Sequence, residues 1–223
     1  MLRKVGFCIF IISLGYGLFA NDLLQQAKEA QKNGDDKKAV ELFYKSAKVD
    51  NSAEAIYELG RFFYEGKIVK QNFDKAKTFF EQSAGLGFIE AKYALGIFYF
   101  NKKNPHHSHK KAYNIFLELA QKENHAPSQN RVGMYLAFGI GIDKDYKEAV
   151  KWFEKSANNG YVTGQCHLAL MYASGKGVFP NLGRARVIAQ QGYDEKNPIC
   201  IQVWDTFKLE NYEEDKGFKL FNK

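Results

Sequence analysis

The fold is decided by residues 53–88, which read AEAIYELGRFFYEGKIVKQNFDKAKTFFEQSAGLGF. The first half places a small residue, a branched aliphatic residue, a glycine and a bulky ring at positions i, i+4, i+5 and i+8. These residues are Ala55, Leu59, Gly60 and Phe63. This spacing makes one apolar stripe along a helix. Gly66 supplies the left-handed backbone that ends such a helix, and a second apolar stripe starts at Ala76. The stretch therefore predicts a helix–turn–helix hairpin.

The same hairpin pattern recurs along the chain. The pair Leu59-Gly60 returns as Leu95-Gly96, Val132-Gly133 and Leu168-Ala169, at intervals of 36, 37 and 36 residues. Because a fixed period of this length is the signature of a helical repeat protein, we predict four repeats. They span residues 52–88, 89–125, 126–161 and 162–197.

Two of the predicted repeats depart from the pattern. The second has Lys102-Lys103-Asn104-Pro105 where the others have a glycine loop. In the fourth, Gln191-Gly192 predicts an early end to the second helix, which would then be shorter than its counterparts. Residues 21–51 are closer to a tetratricopeptide hairpin, which we expect to cap the repeats. Residues 198–223 predict two short C-terminal capping helices, Ile199–Leu209 and Glu213–Asn222. The fold class expected is all-α, a right-handed α/α solenoid.

The pattern A-x-x-x-L-G-x-x-[YF]-x-x-G-x-x-[VI], followed by K-A-x-x-[FW]-[FY]-x-x-[SA]-A-x-x-G, resembles the Sel-1-like repeat. The resemblance covers about Ala53 to Tyr193. It implies a scaffold for protein complexes, and many bacterial members of the family are exported. A cysteine-rich branch pairs two cysteines per repeat, about eight residues apart, and is associated with β-lactam binding or hydrolysis. Here Ala157 and Gln165 stand at those positions, with Cys166 off by one, so the disulfide ladder is missing and the resemblance to this branch is weakened. A β-lactamase or penicillin-binding protein is the alternative, and family resemblance alone suggests it.

The N-terminus predicts an export signal. Met1–Lys4 is short and basic, and Val5–Ala20 is an uncharged run that ends in a small residue. Because a membrane span needs about twenty apolar residues, this run fits the core of a signal peptide at residues 1–20. An uncleaved anchor is the alternative. We expect a periplasmic or secreted bacterial protein with no stable membrane insertion after cleavage.

Charge and motifs exclude several classes of function. The net charge is +7, but Lys alternates with Asp and Glu, so no nucleic-acid partner is expected. The chain carries no P-loop, nucleophile elbow or dinucleotide fingerprint, and we expect no cofactor, no metal and no catalytic residue. His106-His107-Ser108-His109 is interpreted as a solvated loop. Ser108 to Lys111 matches Ser-x-x-Lys, but the motifs that accompany it in β-lactamases are absent.

The first helix of each repeat should line the concave wall of a solenoid, where another protein or peptide would bind. A helical wheel places one set of side chains there, opposite the Leu-Gly stripe: Tyr57, Arg61, Tyr64, Tyr93, Ile97, Phe100, Asn130, Met134, Phe138 and Leu170. The alternative is that these rings pack against the adjacent repeat. Cys166 and Cys200 lie near equivalent points of successive first helices. Helix axes pack about 8–10 Å apart and a disulfide needs Cα atoms within about 7 Å, so their pairing stays open.

Overall fold

The observed helices lie where the predicted hairpins place them. A computed structural model describes residues 22–219 and is all-helical there, without a β-strand. The predicted signal peptide at residues 1–20 lies outside the described residues. The helices are α1 (22–32), α2 (Asp36–Asp50), α3 (Ala53–Glu65), α4 (Phe73–Gly85), α5 (Ile89–Phe100), α6 (His109–Lys122), α7 (Ala126–Phe138), α8 (Tyr146–Asn158), α9 (Val162–Ser174), α10 (Leu182–Asp194) and α11 (Pro198–Phe207), followed by a 3₁₀ helix at Leu209–Asn211.

The chain divides into two units, the first ending at His107 and the second beginning at Ser108. Helices α1 to α5 belong to unit 1, and α6 to α11 belong to unit 2. In unit 1, Phe43 and Leu59 are buried with small residues such as Ala27 and Ala39. In unit 2, Phe153 and Ile188 lie in a core that extends to Trp204 of α11. Each unit therefore buries its apolar stripes in its own core.

Short polar side chains begin most of the helices. Asn72 accepts a hydrogen bond from the Lys75 N–H at 2.9 Å, and Asp145 accepts one from the Glu148 N–H at 2.9 Å. Such caps satisfy an N–H group that the first turn of a helix leaves unpaired, and each contributes about 1 kcal/mol. At the other end, Gly66 adopts φ 68° and its N–H donates to Phe62 O. This is the left-handed termination expected from the sequence.

The Leu-Gly landmark is explained by a close approach between the two helices of a repeat. A Cβ placed on Gly60 would lie 2.7 Å from the ring of Phe80, and one on Gly133 would lie 2.6 Å from the ring of Phe153. The rings are fully buried. A hydrogen in place of a side chain is therefore what allows the second helix to pack against the first.

Repeats 1 and 3 share a further contact that holds their helices together. The Ser83 hydroxyl donates to Ala53 O at 2.6 Å, and the Ser156 hydroxyl donates to Ala126 O at 2.7 Å. Both pairs are 30 residues apart, and both serines are buried. Each bond ties the end of the second helix to the start of the first.

The fourth repeat differs from the prediction. Its second helix, α10, has 13 residues, as do α4 and α8. The helix continues through Gly192 to Asp194, because this glycine is a packing position and not a helix end. Gly192 is buried, and a Cβ on it would collide with the Sγ atom of Cys200.

The second C-terminal capping helix is also a wrong prediction over its described residues. Residues 212–219 form turns and irregular chain without a helix. The physical reason is that Asp215 is drawn into an ion pair with Arg184 of α10, with N···O distances of 2.9 Å. The Phe218 ring packs 6.2 Å from that of Tyr172. These contacts with α9 and α10 hold residues 212–219 in a non-helical path.

Candidate functional site

The predicted partner-binding residues of unit 1 form two rows, one on α3 and one on α5. Tyr57, Arg61 and Tyr64 lie at i, i+4 and i+7 of α3, and all three are half-buried. The second row repeats this arrangement on α5, 36 residues later, and is also half-buried. It consists of Tyr93, Ile97 and Phe100. We call these six residues the first-helix face.

The rings of α3 are packed on one side. The centroid of Tyr57 lies 5.3 Å from that of Phe88 and 5.9 Å from that of Phe80. Tyr64 lies 6.0 Å from Phe98, and its hydroxyl accepts a hydrogen bond from Asn101 Nδ2 at 2.7 Å. Part of each ring therefore packs against the neighbouring helices, and the remainder is accessible.

Arg61 is the charged member of the first-helix face, and its charge is balanced locally. Its guanidinium lies 3.1 Å from the carboxylate of Glu58 and 3.3 Å from that of Glu65. It also lies 6.0 Å from the ring centroid of Tyr57. Burial raises the pKa of Glu58, although the charge of Arg61 acts in the opposite direction. The face is thus apolar and aromatic, with one compensated cation.

Unit 2 distributes its predicted residues differently. Phe138 is 50% exposed at the end of α7, and Met134 is half-buried one turn earlier. Leu170 of α9 packs against the core. Asn130 is buried, and its Oδ1 lies 2.7 Å from His167 Nδ1. Asn130 therefore acts inside unit 2, and of these four residues Phe138 is the most accessible.

His167 is a residue that the sequence reasoning missed. It is 5% exposed and stacks on Phe153 with a centroid distance of 5.1 Å. Because Asn130 Oδ1 is an acceptor, Nδ1 of His167 carries the proton and donates. Burial, assisted by the charge of Arg131, lowers the pKa of His167 to about 4. The imidazole is therefore neutral near pH 7. The other repeats have no histidine at the equivalent position, so the repeat pattern does not indicate this role.

The structure joins Cys166 of α9 to Cys200 of α11 as a disulfide. The two Cα atoms lie 4.7 Å apart, and both residues are fully buried. An axis separation of about 8–10 Å does not prevent this pairing. Since each Cα lies about 2.3 Å from its own axis, facing Cα atoms come within roughly 4–5 Å. Gly192 of α10 leaves room for the two sulfur atoms.

The polar residues that resembled a metal site or a catalytic motif make contacts that stabilise the fold. His106 Nε2 lies 2.7 Å from Asp74 Oδ1, and its ring stacks on Phe98 at 5.9 Å. Ser108 caps α6, where its hydroxyl accepts from the Lys111 N–H at 3.3 Å. The Ser-x-x-Lys match is therefore part of a helix N-cap.

A polar cleft of about 590 Å³ in unit 2 was also not anticipated; Trp152 and Lys155 line it. Gln129 Nε2 donates to Asn124 Oδ1 at 2.7 Å, and Asn159 Nδ2 donates to Gln129 Oε1 at 2.9 Å. This network links α7 with the ends of α6 and α8. The residues lie up to 35 positions apart, so no short motif reveals them.

None of the helices within residues 22–219 has the length and apolar character needed to cross a bilayer.

Comparison with protein families gives four matches to the Sel1 repeat. They cover residues 20–51, 53–88, 126–161 and 162–197, which is more than half of the chain. The first match covers the hairpin that was expected to be closer to a tetratricopeptide unit, and α1 and α2 lie there. The predicted second repeat, residues 89–125, is not among the four matches. Sel1 repeat proteins generally act as scaffolds for protein interactions and are generally not enzymes.

Similar sequences occur in proteins from distant organisms. A sel1-like repeat-containing protein L21 of Acanthamoeba polyphaga mimivirus is 30% identical over 118 residues, covering 53% of this chain and 21% of that protein. Chitin synthase regulatory factor 2 of Schizosaccharomyces pombe is 27% identical, covering 50% and 22% of the two chains. DAP3-binding cell death enhancer 1 of Rattus norvegicus is 31% identical, covering 44% and 19%. The chain spans about a fifth of the length of these relatives.

Solved structures show the same fold. A Sel1 repeat protein from Oxalobacter formigenes superposes with a TM-score of 0.71 at 22% identity, covering 79% of this chain and 71% of its own. The protective antigen c5321 of uropathogenic Escherichia coli gives a TM-score of 0.72 at 24% identity, covering 86% and 42%. The fold class predicted from the periodicity, an α/α solenoid of Sel1-like repeats, is confirmed. The helical hairpins, the Leu-Gly landmarks and the four repeat matches together establish that this chain belongs to the Sel1 repeat family.

Proposed function

We propose that this protein is an exported, non-catalytic scaffold that binds another protein or peptide through the first-helix face. The observation that carries the proposal is the matched pair of rows on α3 and α5. Half-buried aromatic and aliphatic side chains on adjacent helices are typical of helix-in-groove or peptide recognition. The general role of Sel1 repeat proteins as interaction scaffolds supports the same function.

The side chains of the first-helix face limit the kind of partner that it can bind. Tyr57, Tyr64, Tyr93 and Phe100 offer rigid rings, which lose little conformational entropy on binding. Arg61 lies between two carboxylates, so a partner meets a compensated cation with two acceptor groups beside it. We expect an amphipathic segment with an apolar stripe and a polar group opposite Arg61.

The test must separate loss of binding from loss of folding. Tyr57→Ala would remove ring contacts with Phe80 and Phe88, so it is unsuitable alone. Ile97→Asp and Arg61→Glu instead change the accessible part of the face. Val49→Asp is the matched control, because Val49 of α2 is 65% exposed in unit 1 and lies outside the face.

Each variant, checked by circular dichroism, would be immobilised and exposed to periplasmic extract for quantitative mass spectrometry. We expect a protein that the wild type and Val49→Asp retain and that Ile97→Asp and Arg61→Glu lose at least tenfold. Equal retention by all four proteins would show that the first-helix face does not bind the partner.

Export is tested independently of binding. We expect the chain released by osmotic shock to begin at Asn21, the residue after the predicted signal peptide. Intact mass spectrometry of the osmotic-shock fraction measures this directly. A chain that retains residues 1–20 and needs detergent for release would favour the uncleaved anchor.

A further inference from the structure

Residues 212–219 pack on α9 and α10, in the same unit, through two side chains. Asp215 Oδ2 accepts hydrogen bonds from Arg184 Nε at 2.9 Å and from Asn181 Nδ2 at 3.2 Å, and it forms an ion pair with Arg184. Three residues later, the Phe218 ring centroid lies 4.6 Å from the Arg184 guanidinium and 6.2 Å from the Tyr172 ring. One arginine therefore contacts both a carboxylate and a ring of the same segment.

The backbone of the segment is also recognised. Arg186 Nη1 donates to Tyr212 O at 2.6 Å. A Cβ placed on Gly183 would collide with Glu213 O and would lie 3.3 Å from Asp215 N. The atoms nearest that position all belong to the segment. Gly183 therefore leaves the space through which the segment approaches α10.

The first turns of α6 and α8 in unit 2 can be compared with the first turn of α10, where the segment packs. The first turn of α8 is covered by the loop of the following repeat, since a Cβ on Gly177 would collide with Tyr146 O. The first turn of α6 is covered in the same way, because a Cβ on Gly141 would lie 3.1 Å from His109 Cβ. Gly183 is in the first turn of α10. Residues 212–219 thus occupy on α10 the place that a repeat loop occupies on α6 and α8.

Most of the segment is exposed to solvent. Of residues 212–219, only Asp215 and Phe218 are half-buried, and none is helical. Its backbone hydrogen bonds include a local one from the Phe218 N–H to Asp215 O at 3.0 Å. Segments with exposed backbone and few buried apolar contacts open at low free-energy cost.

From these contacts we propose that the surface formed by Asn181, Gly183, Arg184 and Tyr172 is a peptide-binding site that residues 212–219 occupy in cis. The site takes residues 212–219 of a second copy of this chain, in which the Asp215 carboxylate precedes the Phe218 ring by three residues. Arg184 and Asn181 bind the carboxylate, the ring stacks against Arg184 and Tyr172, and Gly183 admits the backbone. This site is distinct from the first-helix face of unit 1.

The full-length chain allows a direct test with a defined probe. The substitutions Asp215→Ala and Phe218→Ala remove the two anchors of the segment and leave the site unchanged. The probe is a fluorescein-labelled peptide of residues 211–219, NYEEDKGFK, measured by fluorescence anisotropy. In the wild type the resident segment competes at an effective concentration in the millimolar range. We expect the doubly substituted chain to bind the peptide at least tenfold more tightly than the wild type.

Two controls identify the site. Adding Gly183→Ala to the doubly substituted chain should abolish binding, whereas adding Gly85→Ala should not, because a Cβ on Gly85 has no atom within 4 Å. A peptide with both anchors changed to Ala should bind at least tenfold more weakly. The proposal is overturned if the native and Ala-substituted peptides bind the doubly substituted chain equally, or if Gly183→Ala has no effect there. Sedimentation velocity of the wild type then tests the source of the segment: a mass that rises with concentration supports a second copy of this chain, and a mass that stays constant contradicts it.

Discussion

The Cys166–Cys200 disulfide should provide a large share of the stability of unit 2. The bond closes a loop with a sequence separation of 34 residues. The chain-entropy estimate for a loop of that size is roughly 4 kcal/mol. We expect the free energy of unfolding to fall by about that amount in the double variant Cys166→Ala/Cys200→Ala. With a urea m-value of about 1.5 kcal/mol/M, the unfolding midpoint would fall by roughly 2.5 M.

Tryptophan fluorescence is the appropriate measurement, because the chain has two tryptophans and both lie in unit 2. Trp152 is 7% exposed, and Trp204 is 6% exposed and stacked 4.5 Å from Tyr193. Urea unfolding followed at these residues therefore reports the unit that contains the disulfide. Reduced wild type should unfold at the same urea midpoint as the double variant, and reductant should not change the midpoint of the variant. If oxidised and reduced wild type unfold at the same midpoint, the bond does not constrain the unfolded chain and the reasoning is refuted.

Three further predictions test the packing, the buried histidine and the absence of catalysis. Gly60→Ala should lower the stability of unit 1 by about 1–3 kcal/mol, because the added methyl group collides with the Phe80 ring. The control Gly85→Ala should change it by less than about 1 kcal/mol. Thermal unfolding followed by circular dichroism measures both variants. The pKa of His167 is lowered from 6.5 to about 4, so the unfolded state binds its proton first as the pH falls. Unit 2 should therefore lose about 3 kcal/mol between pH 6.5 and pH 4; urea unfolding of His167→Gln should show a flatter pH profile, and an unchanged profile would exclude His167 as the cause. Purified protein should not turn over nitrocefin above the rate of a blank, and turnover that Ser108→Ala removes would contradict the non-catalytic proposal.

The fold was predictable because its determinants are local and repeated. Within eight positions, Leu59-Gly60 indicates a helix that a second helix approaches closely, and Gly66 indicates the end of that helix. The same pattern returns about every 36 residues. Periodicity of this kind needs no knowledge of distant contacts. The rows of the first-helix face were predictable for the same reason, since a helical wheel gives the direction of each side chain. Their role in binding a partner is a prediction that the experiments above address.

Other features depend on contacts that no local pattern encodes. Gly192 is the residue type that commonly ends a helix, but it lies inside α10, where two sulfur atoms from α9 and α11 pack against it. The sequence placed Cys166 and Cys200 at nearly equivalent points of successive repeats, yet their pairing depends on that glycine. His167 is aligned with Arg131 of the preceding repeat, so the repeat pattern itself gave no signal for a buried imidazole.

The path of residues 212–219 shows how a local propensity can be overruled. Glu213 to Asn222 has an amphipathic pattern, and such a pattern is worth little without a partner surface, because short isolated helices are marginal in water. Arg184 offers this segment an ion pair with Asp215 and a stacking contact with Phe218. Gly183 leaves room for the backbone of the segment, and a side chain at this position would collide with Glu213 O. The residues that prevent the helix are therefore about 30 positions away, on α10. The same contacts that made the secondary-structure prediction wrong are the ones that define a peptide-binding site.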